Sequence, residues 1–371
     1  MDKLEHLFEP IKLASLELPN RIIMPAVTTY YDFEGGNRQA NFFAERARGG
    51  AALLITGALQ TLYPGRRSDL SKVHLHNDAD IPRLKEWTKV IHDNGSRAAA
   101  QLAVYGYWAK QGRESTPEDV GPSEVYLPLG EVKPSVAQAD FYPKVRALTP
   151  EEIHLIVEQI GDAAVRAREA GFDAIELQCI GGNFFVRFIT PFTNQRTDEY
   201  GGTLANRLRV LVETITNIKR KTGDDFPLIC RIPGTDLASW GLNLEDWKDI
   251  AVFIEKAGVH ALTLMPGWHE SREPRDQMSV PRGAFAYLAE GLKQVVSIPV
   301  AAGTQINDPL LAERIIAEGK ADMVTMGRPL IADPALPKKR RKKGGWRRYG
   351  CAPSAATVLI AFNGESRLPA P

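Results

Sequence analysis

Eight short apolar runs, almost unbroken by polar residues, recur along the chain: RIIMPA from Arg21, AALLITGA from Ala51, SRAAAQLAV from Ser96, AIELQ from Ala174, PLICRIP from Pro227, HALTLMPG from His260, SIPVAAG from Ser297 and MVTMGRP from Met323. A strand with one face in water alternates apolar and polar residues, whereas a continuous run marks a parallel strand covered on both faces. Between the runs lie stretches with the apolar period of a helix. In EEIHLIVEQIGDAAVRAREAG, Ile153, Val157, Ile160, Ala164 and Ala167 share one stripe, acidic residues come early and arginines late, and Gly171 supplies the stop. TLANRLRVLVETITNIKRKTG, LEDWKDIAVFIEKAG and DPLLAERIIAEGKAD repeat the pattern. With no GxGxxG opening the first unit, the repetition predicts an α/β chain folded as a closed (β/α)8 TIM barrel rather than a doubly wound sheet.

Three pieces fall outside this repeat. PIKLASLELPNRI, which breaks near Ala14–Ser15, reads as an N-terminal β-hairpin capping the barrel bottom, with a plain loop as the alternative. A long excursion after strand 3, from Tyr105 to about Thr149, carries Pro, Gly and aromatics but no long helical period, the character of a loop covering a site. A smaller insertion, Gly182 to Gly202, follows strand 4. The expected organisation is a barrel over residues 1–337 and a basic, atypical tail over 338–371, in which PKKRRKKGGWRR reads as a solvated charge run.

Composition excludes several classes of partner. Among 371 residues, 46 Lys plus Arg balance 45 Asp plus Glu to a net charge of +1, so no charge excess draws nucleic acid or a lipid surface. No run approaches the roughly 18–20 apolar residues that cross a bilayer, and the acidic residues of MDKLEHLFEP do not suit a signal peptide. Cys179, Cys230 and Cys351 are odd in number and form no CxxC pair. A reducing, cytoplasmic setting is expected, with no membrane partner. His74 and His76 alternate as metal ligands can, but no third His or Cys pairs with them, and no metal is expected.

In a barrel of this type the chemistry lies at the C-terminal ends of the strands, here Ala26 to Thr28, Gly57, Gln101, Gln178, Arg231, Met265 to His269, Gly303 and Gly327. The last two ends, VAAGT and TMGRP, are small-residue turns whose backbone N–H groups can cradle a phosphate beside Arg328, or simple left-handed turns. Arg231 ends an apolar strand, so its guanidinium requires an anion, an internal carboxylate or a polar ring edge. The amides of Gln101 and Gln178 suit a ring carbonyl and ring N–H, or an ordinary backbone carbonyl. His269 in GWHESR is the one histidine at a strand's C-terminal end, placed to transfer a proton near neutral pH or to hydrogen-bond its loop.

In order, these strand ends resemble the old yellow enzyme family of FMN-dependent oxidoreductases, most closely its 2,4-dienoyl-CoA reductase-like branch, over about Leu7 to Pro337. The most specific segments are LFEPIKLASLELPNRIIMPA, PFTNQRTDEYGGTLANRLR, GWHESREP with VPRGAF, and INDPLLAERIIAEGKADMVTMGRPLIADP. The resemblance implies an FMN over the barrel mouth. Pro25, the Ala26 backbone and Thr28 would lie by its N5–O4 edge, and Gly57 or Ala58 with Gln101 by its pyrimidine ring. Arg231 would face N1–O2, where a cation favours the reduced, negatively charged ring, and Gly303, Gly327 and Arg328 would hold the phosphate.

The family's fourth strand ends in a His, a His or Asn three positions on, and often a proton-donating Tyr two further. Here Gln178, Gly181 and Asn183 stand instead. Gln178 can still donate to a substrate carbonyl, but Asn183 cannot act as a general acid. His269 resembles a histidine that the dienoyl-CoA branch uses beside its Tyr, which leaves His269, Tyr105 or Tyr107 for proton transfer. QLAVYGYW replaces the usual QLxHxGR. Only Cys351 stands where relatives carry a cysteine cluster, so neither an iron–sulfur centre nor a second flavin domain is expected, and NAD(P)H would reduce FMN directly. The resulting expectation is an oxidoreductase of a small-molecule substrate, moving hydride between flavin N5 and a C–C unit beside a carbonyl-type group. A dehydrogenase or double-bond isomerase of a specialised metabolite, and an FMN-binding barrel without turnover, are the alternatives, and association into a homo-oligomer stays open.

Overall fold

The computed structural model describes residues 4–29, 31, 37–61, 74–104, 120–125, 146–269, 271–273, 275 and 277–342. Tyr105, Tyr107, Cys351 and most of the excursion after strand 3 lie outside these residues.

The chain enters through a hairpin, β1 (Ile11–Leu13) paired antiparallel with β2 (Leu16–Leu18), and turns at Ala14, whose φ of 49° is left-handed. Every apolar run then becomes a strand: β3 (Ile22–Met24), β4 (Leu53–Ile55), β6 (Arg97–Ala103), β9 (Ala174–Gln178), β10 (Leu228–Ile232), β11 (Ala261–Leu264), β12 (Val300–Ala302) and β13 (Met323–Thr325). They pair in parallel in that order, and β13 returns to β3 to close the ring. This is the (β/α)8 barrel expected from the continuous apolar runs. A further short strand, β5 (Leu59–Gln60), extends β6 at the top. Another pair, β7 (Val120–Gly121) and β8 (Arg146–Ala147), joins an inner part of the excursion to its C-terminal end in parallel.

Inward-facing positions alternate along each strand. The lower interior is filled by Ile23, Leu53, Ile55, Ala99, Ala174, Ile229, Ala261, Ala301 and Met323, and the hairpin's Leu13, Leu16 and Leu18 join that cluster from below. The small alanines leave room for the hairpin leucines, so the floor is a packed core and the polar layer lies above it.

Helices cover the outside. Pro150–Glu169 starts from a capping box in which Thr149 and Glu152 bond reciprocally, and buries the predicted stripe. Leu204–Thr222, Leu244–Ala257 and Pro309–Ala317 follow the other predicted units. Three further helices lie at Arg38–Gly49, Ile81–Asp93 and Ala286–Lys293. In the first, buried Arg46 lies with its guanidinium carbon 3.5 Å from the Phe42 ring centroid, and burial pushes its pKa down to about 10. A short helix, Phe184–Ile189, occupies the insertion after β9 and buries Phe184, Phe185 and Phe188. A last helix, Leu336–Lys342, carries the fold into the first tail residues. Among the described residues no helix is long and apolar enough to cross a membrane.

Candidate active site

The sequence candidates at the strand ends surround the upper mouth of the barrel. Ala26, Gly57, Ala58, Gly327 and Arg328 are half-buried and Thr28 is exposed, so the rim is accessible. A Cβ added to Gly57 would lie 3.0 Å from the Val27 oxygen, and one on Gly327 would lie 3.3 Å from Pro25 Cγ. The rim is therefore tightly drawn, with backbone exposed where side chains would stand.

At the end of β12 a Cβ on Gly303 would meet the Leu264 oxygen at 2.2 Å and Thr325 Oγ1 at 2.7 Å, so only glycine fits between β11 and β13. The next two residues, Thr304 (φ 66°) and Gln305 (φ 58°), are both left-handed. Non-glycine backbone there costs on the order of 1 kcal/mol per residue and clusters at ligand clamps. The bend is held by Gly283 N donating to Gln305 O (3.0 Å), Gln305 Nε2 to Gln277 O (2.5 Å) and Arg328 Nη2 to Gln305 Oε1 (3.2 Å).

Arg231, at the end of β10, is 8% exposed. Its guanidinium donates to Ala26 O (3.4 Å) and approaches Met265 Sδ (3.3 Å), both neutral acceptors. Gln101 and Gln178 are buried and linked to each other and to Asn183. Asn183 Nδ2 donates to Gln178 Oε1 (2.9 Å), and Gln178 Nε2 to Gln101 Oε1 (3.3 Å). Gln101 Nε2 donates in turn to Glu176 Oε1 (2.6 Å), and Thr263 Oγ1 to Glu176 Oε2 (2.6 Å). Glu176 and Thr263 were not among the sequence candidates. The signal is present in AIELQ, where the one acidic residue of the run shares the inward face with Gln178 two positions on.

His269 follows β11 on a loop that returns to the turn after β9. Its backbone N–H donates to Gly181 O (3.3 Å), and Gly181 forms a parallel bridge with Trp268. A Cβ on Gly181 would lie 2.5 Å from both Cδ2 and Nε2 of the His269 ring, and one on Gly182 would lie 2.5 Å from Trp268. The imidazole therefore fills the space that a side chain at 181 would take. Buried Arg275 donates to the carbonyls of Pro266, Gly267 and Trp268 (3.3, 3.0 and 3.3 Å), with Nη2 3.5 Å from His269 Nδ1. A guanidinium only donates, so at this contact it meets Nδ1 as an acceptor.

Asp236, which sequence reasoning missed, anchors this loop. Its Oδ2 accepts from Leu242 N (2.8 Å) and Thr190 Oγ1 (3.3 Å), its Oδ1 from Trp247 Nε1 (3.2 Å), and its backbone oxygen from Trp268 N (3.1 Å) and Ser271 Oγ (2.7 Å). Burial pushes its carboxyl up to about 6. Behind β9 and β10, the free thiols of Cys179 and Cys230 approach to 3.3 Å, a contact that their spacing in sequence does not reveal. Tyr105 lies outside the described residues.

A closed parallel barrel with its polar and glycine groups gathered at the C-terminal strand ends is a barrel of the enzyme type. The chain belongs to the NADH:flavin oxidoreductase / NADH oxidase family, the old yellow enzyme-like FMN oxidoreductases, whose sequence profile matches residues 6–344. It is 37% identical over 335 residues to a "Metal reductase" of Desulforamulus reducens, covering 90% of this chain and 48% of that protein. It is 31% identical over 372 residues to a "Cinnamate reductase" of Clostridium sporogenes, covering 91% of this chain and 53% of that protein. Among solved structures, a 2-naphthoyl-CoA reductase in complex with 2-naphthoyl-CoA superposes with a TM-score of 0.80 at 30% identity, over 91% of this chain and 52% of that one. The chain thus spans about half the length of these relatives.

The donor set of the mouth fits an FMN. One guanidinium stands at the end of β10 beside Ala26 O and Met265 Sδ, a second stands at the strained bend after β12, and glycines leave backbone open on the rim between them. Those are the requirements of an electron-rich ring and an anionic tail.

Proposed function

We propose that the chain is an FMN-dependent oxidoreductase that transfers hydride to or from a C–C unit activated by a neighbouring carbonyl-type group, through a non-standard site. The observation that carries this reading is Arg231, a mostly buried guanidinium bonded to Ala26 O and Met265 Sδ at a barrel mouth of this family. Bound FMN supplies the hydride-transferring N5. Pro25, Ala26, Thr28, Gly57, Ala58 and Gln101 would hold its ring, Arg231 would offset negative charge on the reduced ring, and Gly303, Gly327 and Arg328 would hold the phosphate. NAD(P)H is the reductant.

Gln178 donates an amide hydrogen to the substrate carbonyl. Asn183 orients Gln178 through its Nδ2–Oε1 bond and carries no transferable proton. His269 donates to the substrate or exchanges a proton with it, and Tyr105 is the further candidate donor. Support comes from relatives named for reducing cinnamate and 2-naphthoyl-CoA. The free, buried thiols of Cys179 and Cys230 accord with a reducing, cytoplasmic compartment.

A second reading, dehydrogenation or double-bond isomerisation of a specialised metabolite, is favoured by Asn183 where the resemblance expects a proton-donating Tyr. Anaerobic stopped-flow separates the two. Flavin bleached by NADPH or NADH and restored by an enone supports the reductase, and bleaching by a saturated analogue supports the dehydrogenase. Flavin that responds to none of these while remaining bound would leave only a barrel without turnover.

A further inference from the structure

Beneath the mouth, four of the inward polar residues form a single directed run. Asn183 donates to Gln178, Gln178 to Gln101, and Gln101 to Glu176, at 2.9, 3.3 and 2.6 Å. All four are buried, Glu176 and Gln101 to 1% exposure. A carboxamide has a donor end and an acceptor end that nearly superimpose, so a run of amides alone can be satisfied in either sense. A carboxylate cannot, because it only accepts. Glu176 receives donors on both oxygens, Gln101 Nε2 on one and Thr263 Oγ1 on the other. Its place at the end of the run forces Gln101 to turn its N–H inward and its oxygen toward Gln178. That in turn fixes the amide of Gln178 and then of Asn183.

We propose that Glu176 is a positioning residue, an acceptor-only anchor that sets the hydrogen-bond direction of Gln101, Gln178 and Asn183 at the barrel mouth. The inference rests on the preceding reading only in that Gln101 and Gln178 serve flavin and substrate there. It explains how a site that replaces ionisable side chains by amides keeps a single donor pattern. Charge-assisted hydrogen bonds in a low-dielectric interior are strong, so the anchor holds its direction against thermal reversal.

The test uses the full chain as purified, with side-chain amide NMR of Gln101, Gln178 and Asn183 and with FMN titrated by fluorescence. In Glu176→Gln the run loses its anchor. The three side-chain amides are expected to shift or broaden and to exchange with solvent at least about tenfold faster, and the FMN dissociation constant to rise about tenfold, as loss of one charged hydrogen bond implies. The double variant Glu176→Gln, Gln101→Glu moves the carboxylate one place along the run, where it still accepts from Gln178. It is expected to return the Gln178 and Asn183 signals to their wild-type positions without restoring FMN affinity, because the amide bordering the ring is gone. A role in folding alone would move stability and every signal together in the single variant, and the exchange of partners would restore stability along with the Gln178 and Asn183 signals.

Amide signals in Glu176→Gln that overlay the wild type would overturn the proposal. So would a double variant that folds with Gln178 and Asn183 still scrambled, an outcome that decides the matter even where the single variant fails to fold. Wild-type protein that binds no FMN would sink the functional reading instead, and the amide signals would still judge Glu176.

Discussion

At the scale of single residues, the loop bearing His269 depends on what its neighbours lack. Gly181 has φ 67° and no Cβ, and the imidazole lies where that Cβ would project. Gly181→Ala is therefore expected to cost about 1–2 kcal/mol in backbone strain and to push the ring away. Its substrate half-reaction should then slow as much as in His269→Ala, by roughly 10²–10⁴-fold for a lost acid–base group. Rapid-reaction kinetics on both variants checks this, and a fast Gly181→Ala enzyme beside a slow His269→Ala one would disconnect the two positions. Asp236 adds a pH dependence of definite sign. Its carboxyl is lifted from 3.8 to about 6, so between those values the folded state binds more protons than the unfolded one, and stability falls as pH rises. The loss is on the order of 3 kcal/mol, complete slightly above pH 6. Glu152, drawn down to about 2 by Arg146, works in the opposite sense, its contribution being lost as pH falls below about 4.5. Denaturant unfolding from pH 4 to 8 is expected to show wild type weakening relative to Asp236→Asn across that window, and parallel curves would contradict the assignment. Asp236 gives no signal in the sequence, and for Glu176 the run AIELQ shows the inward face but not the partners. Each is satisfied by groups 6 to 87 positions away, most of them on other elements, and only the folded register brings those partners together.

Elements were legible where their burial is local. A strand covered on both faces writes a continuous apolar run, and a helix packed on a barrel writes a stripe, so the eight strands and the helix at Pro150–Glu169 could be read directly. The helix at Arg38–Gly49 was harder, because buried Gln39 and Arg46 interrupt its stripe and Arg46 is accommodated by the face of the Phe42 ring and by the carbonyls of Phe42 and Ile331. Phe184–Ile189 is a single short turn set in what reads as an insertion, apolar enough to be mistaken for buried loop. The hairpin was read correctly, and its function as a floor can be tested. Leu18 is 1% exposed within the lower barrel cluster. Leu18→Ala is expected to lower unfolding free energy by about 2–5 kcal/mol, the usual range for a buried leucine, while FMN affinity stays within about threefold because the polar layer lies above that cluster. Calorimetry and flavin titration on one preparation separate the two effects. A large fall in affinity would mean that floor and mouth are coupled.

For the molecule as a whole, a ligand that binds only the folded barrel must stabilise it, by about 2.7 kcal/mol at a hundred times its dissociation constant. In a chain of this size that is a rise in Tm of about 3–4 °C. The same linkage can locate the phosphate. If the bend after β12 and Arg328 hold an anionic tail, FMN must protect more than riboflavin, which shares the ring and lacks the phosphate. A charge-assisted contact is worth about 1.5–3 kcal/mol, so riboflavin at equal concentration is expected to raise Tm by several degrees less. In Arg328→Ala the difference between the two ligands should shrink while the protection by riboflavin itself is kept, since the guanidinium of Arg231 and the rim glycines remain. Equal protection of the wild type by both ligands would place the phosphate elsewhere, and the strained pair Thr304–Gln305 would then need another occupant to account for its left-handed backbone.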